Sequence, residues 1–164
     1  MFKVFKGFCL TILLAGVLLL TTGTFSVSAQ NVDIQIKDVP PQVLLSAKRA
    51  LPDAKWTKAN WDLGDNGLPV IEIEGTLNGK KVEVDVYTDG GIEEVERDIS
   101  ESEVPPAVMT ALKKYVPTFQ IASVNKSETS GVVDRYEFRG SDGLSVKIGE
   151  FGQRVLITSE DAGR

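Results

Sequence analysis

The side chains available for chemistry in this chain are carboxylates. Its 164 residues hold 23 aspartates and glutamates, no histidine and a single cysteine, Cys9. Histidine-based acid–base chemistry, histidine-ligated metals and Cys/His nucleophiles are therefore excluded. Paired carboxylates remain, the pattern a glycosidase would use, but none accompanies a glycine-rich phosphate loop or a catalytic motif. Asp62-Leu63-Gly64-Asp65-Asn66-Gly67 has the composition of an opening calcium loop. It departs where ligands are needed, with Gly64 at the third position and Ile73 at the twelfth, where an oxygen donor and a glutamate belong. Asp, Asn and Gly also suit a turn between strands, as in Asp89-Gly90-Gly91. Asn125-Lys126-Ser127 fits a glycosylation sequon. These residues lead us to expect no cofactor, no metal site and no enzyme.

The elements that must position the carboxylates follow a segment that reads as an address. Lys3 and Lys6 precede an apolar run from Leu10 to Leu20, and Val27 and Ala29 fit a small-residue cleavage site. Residues 1–29 are thus expected to be a secretory signal peptide. The competing reading is an uncleaved anchor, which would make the segment the chain's one membrane contact. Cleavage removes Cys9, so stability must come from packing without disulfides. A periplasmic or secreted location follows. The formal charge of −5 argues against nucleic-acid binding, which needs a basic surface.

The remaining sequence repeats at an offset of 65 residues, Val39-Pro40-Pro41-Gln42-Val43 matching Val104-Pro105-Pro106-Ala107-Val108. Leu51-Pro52 falls on Val116-Pro117, and Glu72-Ile73-Glu74-Gly75 on Glu137-Phe138-Arg139-Gly140. The prolines suit a helix start. Val43, Leu44, Ala47 and Leu51 make an apolar stripe, copied by Val108, Met109, Leu112 and Val116. Strands are expected at 56–61, 70–75, 81–87 and 92–96, and again at 120–124, 133–139, 144–148 and 153–158, with Asn78-Gly79 a hairpin turn. The predicted fold class is α+β: a tandem duplication of a helix followed by a three- to four-stranded antiparallel sheet, helices on one sheet face. The units are 30–98 and 99–164. Each is a marginal core alone, so the two sheets should pack or join edge to edge.

Alternation divides the strand residues between two faces. Ile71, Ile73, Val82, Val84 and Val86 should lie under the first helix, and Tyr136, Phe138, Leu144, Val146 and Ile148 under the second. The opposite face then carries Glu72, Glu74, Glu83, Asp85 and Tyr87 in the first unit, and Arg135, Glu137, Arg139, Ser145 and Lys147 in the second. Residues 30–98 have 8 basic and 14 acidic side chains, and 99–164 have 8 and 9. Such charges ordinarily solvate the free face of a sheet. They would also make a bipolar surface whose acidic end meets a basic partner. Trp56 and Trp61, five apart on a strand, should point to opposite faces.

The doubled Val-Pro-Pro start, the basic helix ends at Lys48-Arg49 and Lys113-Lys114, and the hairpin strands closing at glycine are similar to the PepSY-like family, also described as β-lactamase-inhibitor-like. The resemblance covers Val39 to Glu96 and Val104 to about Thr158. It implies secreted or periplasmic α+β proteins, helices on one face of an antiparallel sheet, with a non-catalytic, inhibitory or regulatory role. The β-lactamase inhibitory protein is similar in its tandem units and concave sheet. It differs in carrying disulfides, and none of its contacts can be aligned to positions here. The expected function is an exported, non-enzymatic protein-binding or inhibitory module. Its partner would be a protein of the envelope or medium, met by Tyr87, Glu72, Glu74, Glu83, Asp85, Arg135, Arg139 and Lys147. The alternative is a small-ligand or calcium sensor using the Asp62–Gly67 turn.

Overall fold

The computed structural model describes residues 32–159; the signal segment read at 1–29 lies outside them. Strand β1 (Val32–Ile34) and a 3-10 turn lead into helix α1 (Pro41–Ala50). Strands β2 (Lys55–Leu63), β3 (Pro69–Leu77), β4 (Lys80–Tyr87) and β5 (Ile92–Ile99) follow. A second 3-10 turn and helix α2 (Pro106–Tyr115) precede β6 (Ile121–Thr129), β7 (Val132–Gly140), β8 (Leu144–Gly149) and β9 (Val155–Ser159). The nine strands form one sheet in sequence order, each antiparallel to the next.

Both helices begin on the second proline of their Pro-Pro pair, where the missing N–H is no loss and φ is already set. Val43 and Ala47 of α1 are buried, as are Val108, Ala111 and Leu112 of α2. Each helix closes one turn later, with Leu51 N–H donating to Ala47 O at 3.0 Å and Val116 N–H to Leu112 O at 2.8 Å. Pro52 and Pro117 then stop it. Asn78 and Gly79 take left-handed φ of 52° and 81°, the primed turn that matches strand twist. Ser130 and Gly131, at 53° and 77°, make the same turn between β6 and β7.

Two apolar clusters lie beneath the helices. Val43, Ala47, Ile71, Ile73, Val84 and Val86 anchor the first; Val108, Leu112, Phe138, Val146 and Ile148 anchor the second. Each fully buried Val, Ile or Phe contributes about 1.5–3 kcal/mol. Between them the helix face of the β5–β6 joint is polar. Arg97 pairs with Lys126 across the sheet, and Arg97 and Lys126 both bond Glu128, at 2.6 and 2.7 Å.

Three expectations need correction. First, the described residues form not two three- to four-stranded sheets but one of nine strands. An exposed edge leaves a row of unpaired N–H and C=O groups, and β5 and β6 satisfy each other from Val95↔Glu128 to Ile99↔Val124. Second, β6 runs on through Asn125, Lys126 and Ser127. Asn125 is therefore mid-sheet, its Nδ2 donating to Glu96 Oε2 at 3.2 Å, not a surface sequon. Third, Trp56 and Trp61 do not point to opposite faces. A bulge between Trp56 and Lys58 inserts one residue, so Trp56 stands opposite Gly75 and Trp61 opposite Ile71. An extra residue reverses the alternation beyond it, and both indoles lie on the helix side. Trp56 packs against the first cluster, while Trp61 is exposed.

Candidate functional site

The face opposite the helices is built by register. Glu72 of β3 stands opposite Asp85 of β4, and Asp85 opposite Glu94 of β5. One step along, Glu74, Glu83, Glu96, Ser127 and Arg135 form a row across five strands. Asp98, Asn125, Glu137 and Lys147 form a third. Six carboxylates thus occupy adjacent positions on β3, β4 and β5. Glu94 and Glu96 belong to this grid although the sequence reading did not select them. Their alternation was visible; their place beside Asp85 and Glu83 required the pairing of β4 with β5.

Like charges directly opposed are unfavourable, and the molecule answers in two ways. Cations offset part of the field. Lys81 Nζ bridges Glu74 at 3.3 Å and Glu83 at 3.0 Å. Arg135 Nη2 donates to Glu94 Oε2 at 2.8 Å, its Nη1 reaches Asp65 at 3.2 Å, and Glu96 lies 3.8 Å away. Protons offset the rest. Burial, then the charges of Glu83 and Glu72, push the Asp85 carboxyl up to about 8. Burial and Glu83 push Glu72 up to about 8. Burial, Glu83 and Glu94 push Glu96 to about 7. Glu137 goes the other way: burial opposes ionisation, but Lys147, Ser145 and Arg139 hold its carboxyl below the ordinary value.

The residues read from the sequence are therefore placed unequally. Glu72, Glu74, Glu83 and Asp85 come together as one acidic patch. Arg135 is only 14% exposed on its side chain and is spent on Glu94 and Asp65 of the first half and on its neighbour Asp134. Lys147 and Arg139 both bond Glu137, at 3.5 and 3.4 Å. Tyr87 is half-buried; its hydroxyl donates to Glu93 Oε1 at 2.8 Å and accepts from Asn66 Nδ2. A second bulge explains Glu93. Asp85 pairs with Glu94 but Val86 with Ile92, which leaves Glu93 unpaired and free to reach Tyr87 on the open side. Strict alternation would have sent it to the helix face.

The Asp62–Gly67 segment is the β2–β3 hairpin loop. Asp62 Oδ1 accepts from Leu63 N–H at 2.7 Å, Asn66 Oδ1 accepts from Leu68 N–H at 2.8 Å, and Asp65 is turned to Arg135. Asp62 and Asn66 thus close the turn while Asp65 faces Arg135. Among the described residues, Glu72, Glu83 and Asp85 each offer an oxygen within 4.8 Å of the others, a spacing compatible with a hard cation, which would compete there with protons.

Fold and face together define a class: a long antiparallel sheet backed on one side by two helices and open on the other, with ionised and protonated carboxylates at its centre. Solved structures from Bacteroides share this fold. One is a protein of Bacteroides eggerthii assigned to the periplasm, 16% identical, covering 76% of this chain and 93% of that one, with a TM-score of 0.60. A DUF2874 family protein from Bacteroides uniformis is 16% identical over 76% and 92% of the two chains, TM-score 0.58. A BLIP-like protein from Bacteroides fragilis is 17% identical over 76% and 89%, TM-score 0.54. Neither a protein-family model nor a curated protein matches the chain.

Proposed function

We propose that this is an exported, non-enzymatic protein-binding module, inhibitory or regulatory in kind, that engages a protein of the periplasm or medium through the open sheet face. The observation that carries the reading is the grid of Glu72, Glu74, Glu83, Asp85, Glu94 and Glu96 on the face that α1 and α2 leave uncovered. Holding like charges in register costs stability, and a basic partner would recover that cost on binding. The PepSY-like sequence pattern, the periplasmic assignment of a structural neighbour and the shared fold with a BLIP-like protein support the same reading. The internal pairing of Arg135, Arg139 and Lys147 concentrates binding on the acidic half.

The test is capture from native periplasm and culture medium at low and high salt, beside a variant carrying Glu72→Gln, Glu74→Gln, Glu83→Gln and Asp85→Asn. A partner retained by the parent, released by salt and missed by the variant is expected. Identical retention by both proteins would sink the reading.

The calcium-sensor alternative now has a different handle, since the carboxylates of Glu72, Glu83 and Asp85 lie close together. Calorimetric titration with calcium at pH 8.5 separates the two readings. Saturable heat that disappears in Asp85→Asn would favour the ion.

A further inference from the structure

The four hairpins β2–β3, β4–β5, β6–β7 and β8–β9 turn at the same end of an antiparallel meander. At that end of the open face lies a groove of about 550 Å³, lined among others by Asp65, Tyr87, Ile92, Glu93, Glu94 and Asp134. Asn66 and Tyr87 also line a neighbouring depression with Leu68 and Pro69. The lining is acidic, and two arginines offset part of it: Arg135 bonds Asp65, Asp134 and Glu94, and Arg154 bonds Asp134 at 3.2 Å. Yet it is not only acidic. Ile92 in the groove is 37% exposed, and Leu68 in the adjoining depression 56%.

Two details mark the groove as built for an occupant. The Glu94 side chain is only 10% exposed, and while its Oε2 holds Arg135, its buried Oε1 has no hydrogen-bond partner among the described residues. A buried acceptor left unpaired opposes folding, and an incoming donor would relieve it. Tyr87, meanwhile, is fixed by Asn66 and Glu93 before anything binds, so its ring is a preorganised aromatic contact of the kind that anchors interfaces.

We infer that this hairpin-end groove is the docking site for a protein segment that presents an arginine or lysine beside an apolar side chain, the cation facing Glu93 and Glu94, whose Oε2 and Oε1 are buried without a partner among the described residues, and the apolar group meeting Tyr87, Ile92 and Leu68. The inference rests on the protein-binding reading above but places the anchor at the end of the sheet, not at its centre. A metal ion would leave the exposed Leu68 and Ile92 unused, and a purely apolar partner would strand the carboxylates.

The probe is an amidated peptide alternating arginine and leucine, titrated into the isotopically labelled full chain and followed by amide chemical shifts. Control peptides replace arginine by glutamate or leucine by serine. Saturable shifts are expected at Ile92, Thr129 and Ser130 with the first peptide and not the controls. Ile92→Ser should weaken binding about tenfold. Gly64→Ala should weaken it several-fold without unfolding the protein, because the added Cβ would occupy the position of the Glu93 carboxylate and push it off Tyr87. Equal binding of a control peptide, indifference to both substitutions, or the same shifts produced by calcium alone would overturn the proposal. Shifts confined to Glu72, Glu74 and Glu83 would overturn the groove while leaving open-face binding intact.

Discussion

Asp85 stands directly opposite Glu72 across β3 and β4, and neither carboxylate has an ion-pair partner among the described residues. Both are held by protons at neutral pH. A central sheet position ordinarily takes an apolar or neutral side chain, so this pair is maintained against stability.

That relationship sets a pH dependence. Asp85, Glu72 and Glu96 bind protons more tightly folded than at their ordinary values of 3.8 and 4.5. Their contribution is full below those ordinary values and is lost as pH rises through about 7 to 8. Glu103, held down to about 2 by Lys80 and Ser100, and Glu137 have the opposite sign and lose their contribution only in acid. The melting temperature should therefore fall between about pH 5 and 8 and level off above that. Asp85→Asn should flatten that slope and add on the order of 2 kcal/mol at pH 9. Thermal melts of both proteins across this range check it; parallel curves would refute the assignment.

Arg135 links β7 to acids on β5 and in the β2–β3 loop. Arg135→Ala leaves Glu94 buried beside other carboxylates and should cost about 3 kcal/mol at pH 8. The cost should shrink at pH 5, where burial favours the protonated form of Glu94. Urea unfolding at the two pH values measures the difference. Arg135→Lys should rescue only part of it, because an ammonium cannot serve Glu94 and Asp65 with a planar fork.

The β5–β6 pairing makes one sheet of both halves. Ile73→Ala and Phe138→Ala, in separate clusters, should each cost about 2–5 kcal/mol. Each should shift the same single transition. Two resolved transitions, or a sharp independent melt for a fragment spanning residues 30–98, would show that the halves fold separately.

Bulges recur at equivalent places, Trp56/Lys58 opposite Gly75 and Ile121/Ser123 opposite Gly140. The two glycines are not equally replaceable. A Cβ on Gly75 would meet the Lys55 carbonyl oxygen at 2.5 Å, whereas on Gly140 the nearest atom is the Asp142 side chain. Gly75→Ala should therefore destabilise by about 1–3 kcal/mol and more than Gly140→Ala, as denaturant midpoints will report.

Much of the architecture was legible residue by residue. The Pro-Pro starts, the stripe through Val43 and Ala47, the Asn78-Gly79 turn and the alternation of Glu72, Glu83 and Asp85 against Ile71, Val82 and Val84 are local patterns. The candidate site was half legible. Its first four carboxylates came from alternation. Glu94 and Glu96 alternate too, but only the β4–β5 pairing set them beside Asp85 and Glu83. Glu93 sits at a bulge that alternation misplaces, and Arg135, read as a partner contact, is paired internally.

By itself, the sequence determined which residues would be helical, which would be extended and which face of each strand would be polar. Those properties depend on periodicities of 3.6 and 2 within a few neighbouring residues. Tertiary structure alone decided that β5 and β6 would join, that bulges at Thr57 and Glu93 would turn Trp56 and Glu93 to the other face, and that Arg135 would close on Glu94. Pairing between distant segments sets strand register, and one inserted residue inverts every side chain beyond it.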